Sequence, residues 1–393
     1  MKKFIEGSMA VAEGVKICRP LVVSAYPITP QTHIVEHLSQ MVADGDLDAQ
    51  FINVESEFGA ASVVLGAEAS GARSFSATTS QGLLLMGEVL FNIAGMRLPV
   101  VITVANRSVS APINIWNDHS DSMVIRDSGW IMLFAENNQE AHDMQIQAYK
   151  IAETPEISLP VMINMDGFIL THAYETVDTI GQEEADKFLP PYKPEIYLDV
   201  ENPITMGPLE EPQWYMETRY RIQEAQMEAK PIIKRVAQEF KEQIGRYFGG
   251  LIDTYRIDGA ETLLVAMGSA IGTIKDAIDE LRDKGEKVGL LKIRCFRPFP
   301  NEEIIEVLKD VKNVAVLEKA VSLGASGIVA DEIKGALYHT PYRPEISNFF
   351  LGLGGRDISK ESIIEIYNET ITKRQDNIFV DIHPDIVEQI KIR

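Results

Sequence analysis

Cysteine is almost missing from this chain. Cys18 and Cys295 are the only two in 393 residues and lie far apart, so no disulfide framework and no Cys-rich metal or iron–sulfur motif can be assembled within it. Positive charge is also scarce. Lys and Arg number 37 against 58 Asp and Glu, a formal net charge of −21 that would repel nucleic acid and anionic membranes. The acids are spread along the chain and form no tail, so they read as a solvated surface. No apolar run approaches membrane-spanning length, and no apolar signal-peptide core follows Met1-Lys2-Lys3. A soluble, cytoplasmic protein is expected. Complete phosphate loops are missing too. Gly268-x-x-x-Gly272 lacks the Lys-Ser/Thr pair of a P-loop, and no full Gly-x-Gly-x-x-Gly follows a strand with an acid downstream. That disfavours a stand-alone nucleotide-dependent oxidoreductase.

What the chain has in quantity is apolar strand-like runs alternating with helical segments, in a composition that is 45% hydrophobic. The pattern predicts a helix over 4–17, a strand over 21–25, and a helix over about 33–43 capped by Thr32. A short buried strand over 51–54 follows, then a helix rich in Ala and Gly, and a strand over 73–77. The predicted sequence continues with a helix over 82–96 and a strand over 98–104. Residues 105–130 break the pattern with a long polar loop holding Trp116, Arg107 and Arg126. Strands over 130–135 and 159–165 flank a helix over 139–152. The Pro- and Glu-rich stretch at about 181–215 reads as an extended arm, and a charged helix follows over 216–245. Continuous apolar strands separated by helices indicate an α/β fold with a parallel sheet covered on both faces. The expected boundary falls at 250: a larger domain over 1–250 and a smaller α/β unit over 251–393. No internal repeat is visible.

The stretch 51–82 is the most unusual. Glu55 and Glu57 stand at its strand end, on one face if the strand continues through them, before a helix almost without bulk on one side. Glu57 is the acid placed to meet a ligand; its ordinary alternative is a helix N-terminal acid beside the macrodipole. Thr29 is held between Pro27 and Pro30, a rigid frame that preorganises its hydroxyl. Arg107 follows an apolar strand, where α/β folds bind ligands, and its planar fork suits a carboxylate. An ion pair with Asp118 or Asp121 is the alternative. Asp118-His119-x-Asp121 has no second cluster at ligand spacing, so no metal site is expected.

Taken together, YPITPQT at 26–32, ESEFGAASVVLGAEASGAR at 55–73, TTSQGLLLM at 78–86, NDHSD at 117–121, DGF at 166–168 and RPFP at 297–300 resemble one family. It is the alpha subunit of pyruvate:ferredoxin oxidoreductase and related 2-oxoacid:ferredoxin oxidoreductases. The resemblance implies a thiamine-diphosphate-binding, pyrimidine-type parallel-sheet domain followed by a transketolase C-terminal-like domain. It implies that Glu57 hydrogen-bonds the ring nitrogen N1′ of the cofactor, with Pro27, Ile28 and Gly82 beside the pyrimidine. Thr29 and Arg107 would bind the substrate carboxylate. The implied reaction is reversible oxidative decarboxylation of a 2-oxoacid, pyruvate by default, to acyl-coenzyme A, with electrons passed to ferredoxin. Branched-chain or aromatic 2-oxoacids such as phenylglyoxylate, 2-oxoglutarate, and a purely scaffolding role are the alternatives. The chain carries no Gly-Asp-Gly, the metal–diphosphate signature of thiamine enzymes, and no cysteine cluster. Partners are therefore expected: a beta subunit with the diphosphate and Mg2+, a delta-type subunit with [4Fe-4S] clusters, and a gamma-type subunit completing the coenzyme A site. The arm at 181–215 would wrap a neighbour.

Overall fold

The computed structural model describes residues 1–390. From the N-terminus the elements run β1 (Lys2–Glu6), α1 (Gly7–Ile17), β2 (Val22–Ala25), α2 (Thr32–Ala43), β3 (Gln50–Asn53), α3 (Glu57–Ala69), β4 (Ser74–Thr78), α4 (Ser80–Leu85), α5 (Gly87–Gly95), β5 (Val101–Asn106), α6 (Ser120–Ile125), β6 (Ile131–Phe134), α7 (Asn138–Ala152), β7 (Val161–Asp166), β8 (Tyr174–Asp178), α8 (Gln182–Phe188) and α9 (Pro212–Ile244). They continue with β9 (Ile252–Tyr255), β10 (Thr262–Ala266), α10 (Ala270–Asp283), β11 (Val288–Ile293), β12 (Cys295–Arg297), α11 (Asn301–Leu308), β13 (Asn313–Glu318), α12 (Ile328–Leu337), β14 (Glu345–Phe350), α13 (Lys360–Thr372), β15 (Ile378–Phe379) and α14 (Pro384–Gln389). Two compact units emerge. The first holds Met1–Asp253 with the short segments Met267–Ser269 and Ile293–Pro300, and the second holds the remainder.

The first unit is built on a seven-stranded sheet of order β12-β6-β7-β5-β4-β2-β3. Its neighbouring strands pair in parallel, except β12 with β6. Its central strands, SFSAT, VITVAN, IMLF and VMINMD, are buried at every position, as a sheet covered on both faces requires. Helix α7 is buried along nearly its whole length and packs against α1. Even its polar side chains are enclosed, and Glu140 among them accepts from the fully buried Arg294 at 2.9 Å. The second unit has a six-stranded sheet of order β15-β14-β13-β10-β11-β9. Against it α10 presents Ile271, Ile274, Ala277, Ile278 and Leu281, one face at helical spacing. Burying each of its larger aliphatic side chains is worth roughly 1.5–3 kcal/mol. Among the described residues no helix is long and apolar enough to cross a membrane.

Several expectations change. Residues 2–6 form a strand paired antiparallel with β8, a ribbon the helical reading of 4–17 missed, because Phe4 and Tyr174 stack on each other in the open. Strand β3 is not buried. It is the sheet's outer strand, with Gln50, Ile52 and Asn53 exposed. Thr32 is the first residue of α2 and caps nothing; Gln31 precedes it, with no side-chain cap bond. The helix expected over 82–96 is two, α4 and α5, meeting at Met86. The stretch 181–215 contains α8 and the start of α9, and part of it folds back onto its own unit. Leu198 N donates to Ala69 O at 2.7 Å, and Arg73 Nη2 to Pro190 O at 3.0 Å. Val200 and Leu209 nevertheless stand almost fully exposed.

Candidate active site

The C-terminal ends of β2, β4, β5 and β7 lie side by side in the sheet, so the segments that follow them come together at one edge. Those segments are four of the six motifs picked out by sequence. The loop after β2, Tyr26–Gln31, is pinned from below by Gln31. That fully buried side chain donates through Nε2 to Ala77 O of β4 at 2.6 Å and accepts from Ile28 N at 3.3 Å. This leaves Pro27 and Thr29 exposed and Ile28 half-buried on the outer side of the loop. The Asp166-Gly167-Phe168 turn after β7 closes on the same loop. A Cβ on Gly167 would lie 2.5 Å from Asn106 O and 2.6 Å from Pro30 Cγ, so only glycine lets the three segments meet.

Glu57 is not a strand residue. It opens α3 after Ser56, whose side chain accepts from Gly59 N at 3.2 Å. The proposed shared face with Glu55 therefore does not exist: Glu55 is exposed, whereas Glu57 is only 6% exposed. The ordinary reading placed it correctly at a helix start, but that position does not satisfy its carboxylate. Among the described residues the side chain has no hydrogen-bond partner. It extends under α4 instead. A Cβ built on Gly82 would fall 2.6 Å from Glu57 Oε1 and 2.7 Å from Thr78 Oγ1, so Gly82 keeps this space open. The Thr78 hydroxyl is itself buried without a partner. Leaving buried polar groups unpaired costs about 1–3 kcal/mol each, which marks the place as one awaiting a ligand.

Arg107 stands at the end of β5, buried, and forms neither of the ion pairs considered for it. Its guanidinium donates to Thr29 O at 2.8 Å, Asn114 O at 3.1 Å and Gln81 Oε1 at 3.2 Å. Burial pulls its pKa down, and the charge of Asp121 opposes that. Asp121 meets the backbone of Arg107, not its fork. The fully buried carboxylate accepts from Arg107 N and Ser80 N at 3.0 Å each, from Asn106 Nδ2 at 2.9 Å and from Ser122 N at 2.8 Å. It thus ties the β4–α4 turn to the end of β5. Burial pushes its pKa up to about 6, although these donors pull it down. Ser80, in that turn, has φ 46°, an uncommon conformation for a side-chain-bearing residue.

The neighbouring His119 is buried and has Nε2 2.7 Å from Asp166 Oδ1. Asp166 Oδ2 in turn accepts from Ser269 N at 2.9 Å. Trp116 and Phe168 stack with centroids 4.6 Å apart, fastening the 108–119 loop to the turn after β7. Arg126 bonds the carbonyl of Met123 at the end of its own helix and takes no part. Among the described residues no three His, Cys, Asp or Glu side chains are placed to hold a metal ion.

Thr29, Arg107, Glu57, Gly82 and the Pro27–Ile28 edge are brought to this one end of the sheet. Sequence reading missed Gln31, Gln81 and Asn106, and weighed Asp121 only as an ion-pair partner of Arg107 or a metal ligand. Polar residues flanking glycine and proline turns at strand ends were the available signal, but nothing in spacing reveals which backbone groups they will meet.

Comparison with known proteins agrees with this layout. Residues 13–238 match the thiamine-diphosphate-binding domain of pyruvate flavodoxin/ferredoxin oxidoreductases, and residues 260–363 match pyruvate:ferredoxin oxidoreductase core domain II. The chain is 55% identical to pyruvate synthase subunit PorA of Methanosarcina barkeri, over 93% of this chain and 92% of that one. It is 47% identical to ketoisovalerate oxidoreductase subunit VorA of Pyrococcus horikoshii, over 92% of each. A solved 2-oxoglutarate:ferredoxin oxidoreductase from Magnetococcus marinus, with 2-oxoglutarate, coenzyme A and succinyl-CoA bound, superimposes with a TM-score of 0.72 at 20% identity. That match covers 94% of this chain and 65% of that one. A split-gene transketolase, an inactive beta4 tetramer, gives 0.55 at 13% identity, over 95% and 100%. At these identities the two structures speak for the fold alone.

Proposed function

The chain belongs to the pyruvate flavodoxin/ferredoxin oxidoreductase family, and we propose that it is the subunit of a 2-oxoacid:ferredoxin oxidoreductase that binds the pyrimidine half of thiamine diphosphate. The reaction is the reversible conversion of a 2-oxoacid and coenzyme A to acyl-coenzyme A and carbon dioxide, with two electrons leaving singly to ferredoxin. Pyruvate is the preferred substrate in this reading, supported by relatives at 46–55% identity that carry the name pyruvate synthase. The observation that carries it is the Glu57 carboxylate, nearly buried, unpartnered, and kept clear of side chains by Gly82.

A protonated or hydrogen-bonding ring nitrogen would satisfy that carboxylate, so the residues present fit an aminopyrimidine. When bound, thiamine diphosphate supplies a carbon nucleophile and an electron sink for cleavage beside a carbonyl. Glu57 would hold the proton at the ring nitrogen N1′, and Gly82 would let the Glu57 carboxylate lie against the start of α4. Pro27 and Ile28 form the apolar edge of the loop beside it. Arg107 uses three of a guanidinium's five N–H donors on Thr29 O, Asn114 O and Gln81 Oε1. The two that remain suit a substrate carboxylate, together with the exposed Thr29 hydroxyl. Asp121 holds Arg107 and the β4–α4 turn in register while this happens.

The diphosphate, its Mg2+ and the [4Fe-4S] clusters fall to partner subunits in this scheme. The chain has no Gly-Asp-Gly, and burial raises the pKa of both thiols, Cys295 to about 12, so neither suits a cluster ligand. The exposed side of the 181–215 stretch offers Val200 and Leu209 to such a neighbour. The test is to assemble the complex with Glu57→Gln and Glu57→Ala. Turnover of the 2-oxoacid with coenzyme A and a one-electron acceptor should fall about 10²–10⁴-fold while the subunits still assemble. Unchanged turnover in an intact complex would leave the chain a scaffold.

A further inference from the structure

Gln81, at this edge, has its two ends treated differently. Its Oε1 is occupied: Arg107 Nη2 donates to it at 3.2 Å, and the Ser80 hydroxyl lies 2.6 Å away. The Ser80 hydroxyl, with its one proton, lies as close to Ser108 O, so it is the Arg107 donor that decides which end is oxygen: turning the amide over would set its NH2 against the guanidinium. Its Nε2 is buried and has no partner. The residue sits in sequence and in space between the two functions already placed at this edge. Gly82, next to it, faces Glu57 at the pyrimidine end, and Arg107, bonded to it, is the carboxylate end.

We propose that Gln81 is a substrate-binding residue whose carboxamide nitrogen donates a hydrogen bond to the 2-oxo oxygen of the bound 2-oxoacid. This rests on the reading of Arg107 and Glu57 given above. A 2-oxoacid whose carboxylate lies on the free donors of Arg107 has its keto oxygen one carbon further on, toward the Glu57 end. There the unpaired N–H of Gln81 finds an acceptor. It also lies where negative charge develops when the keto carbon is attacked, so the bond strengthens as the reaction proceeds. The fixed Oε1 does the orienting: Arg107 holds the amide so that its donor end does not turn away.

A residue that only buttressed Arg107 would affect every carboxylate alike. A donor to the keto oxygen affects only ligands that have one. In the assembled complex loaded with thiamine diphosphate, equilibrium dissociation constants are measured for oxamate, which carries an oxygen at the 2-position, and for propionate, which does not. Gln81→Met, similar in volume but with no donor, should weaken oxamate about tenfold or more relative to propionate, with cofactor content unchanged. Equal weakening of both ligands, or of neither, overturns the assignment. Gln81→Ala gives the same ratio should the Met variant fail to assemble. Glu57→Gln, run alongside, separates the two levels. If it keeps full turnover, the thiamine reading falls and this assignment with it. If it is inactive and Gln81→Met leaves the ratio unchanged, only the role of Gln81 falls.

Discussion

Glu57 in the first unit and Glu318 in the second are both nearly buried carboxylates beside a mainly parallel sheet, and each faces a glycine where an added Cβ would press on the acid. Built on Gly327, a Cβ would come 1.9 Å from Glu318 Oε1; on Gly82 it would come 2.6 Å from Glu57 Oε1. The difference lies in what the oxygens meet. Glu318 accepts from Val329 N at 2.8 Å, Ala330 N at 3.1 Å and Asn348 Nδ2 at 2.7 Å, so it closes the start of α12 from the end of β13. Glu57 opens its own helix and has no donor among the described residues. The same ingredients, acid, glycine and strand end, give a finished structural joint in one unit and an unfinished contact in the other. Burial alone therefore does not distinguish a functional acid from a structural one; the count of satisfied oxygens does.

The sharpest way to break that contrast is to neutralise each acid in turn. Glu57→Gln should cost the assembled enzyme about 10²–10⁴-fold in turnover, with a melting temperature close to the parent, because no internal bond is lost. The two glycines form the next pair. Gly82→Ala displaces a free carboxylate, so activity assays should show a loss of about 10–100-fold with a stability change near 1 kcal/mol. Gly327→Ala pushes against a carboxylate pinned by three donors, and thermal unfolding should reveal a loss of about 1–3 kcal/mol. Within the first unit, Asp121→Asn replaces by an NH2 one of the two oxygens that accept from Ser80 N, Arg107 N, Asn106 Nδ2 and Ser122 N. The KM for the 2-oxoacid should rise about tenfold; the parent's KM is expected to rise as pH falls through about 6, and the variant's is expected not to.

The smallest effect concerns Glu318 itself. Burial lifts its pKa from 4.5 to about 7 against the pull of its three donors. Because the folded value lies above the unfolded one, its contribution to stability is fully present below about pH 4.5. It is lost as pH rises through about 7. Glu318→Gln should therefore flatten the pH dependence of thermal unfolding over that window, by at most about 3 kcal/mol, and leave turnover alone. An equally steep profile in the variant would assign the linkage to another group.

Much of the first unit was legible in advance. The runs around 101–106, 131–134 and 161–166 are mostly apolar and buried at every position, as a sheet covered on both faces requires, and the parallel order followed. Edge elements were less legible. Strand β3 looked buried from Phe51-Ile52-Asn53-Val54, yet at the margin of a sheet such residues face outward. The β1–β8 ribbon joins segments far apart in the chain, so no local periodicity could announce it. The candidate site divides in the same way. Glu57, Thr29 and Arg107 were singled out because each sits beside a break in regular structure. Gln31 was missed, and Asp121 was weighed only as an ion-pair partner or metal ligand, because both meet backbone groups brought from other strands.

Sequence alone thus determined most element types, the family resemblance, the shortage of cysteine that leaves no cluster motif in this chain, and the candidate acid. Only the tertiary structure decided that Glu57 begins a helix, that Glu55 does not share its environment, and that Arg107 binds carbonyls in place of acids. The reason is physical. Helix and strand periodicities are set by neighbours within a few residues, whereas the satisfaction of a buried polar atom depends on groups delivered by distant strands. Glu57 and Glu318 carry the same side chain, and the donors around them were visible only once the sheets had formed.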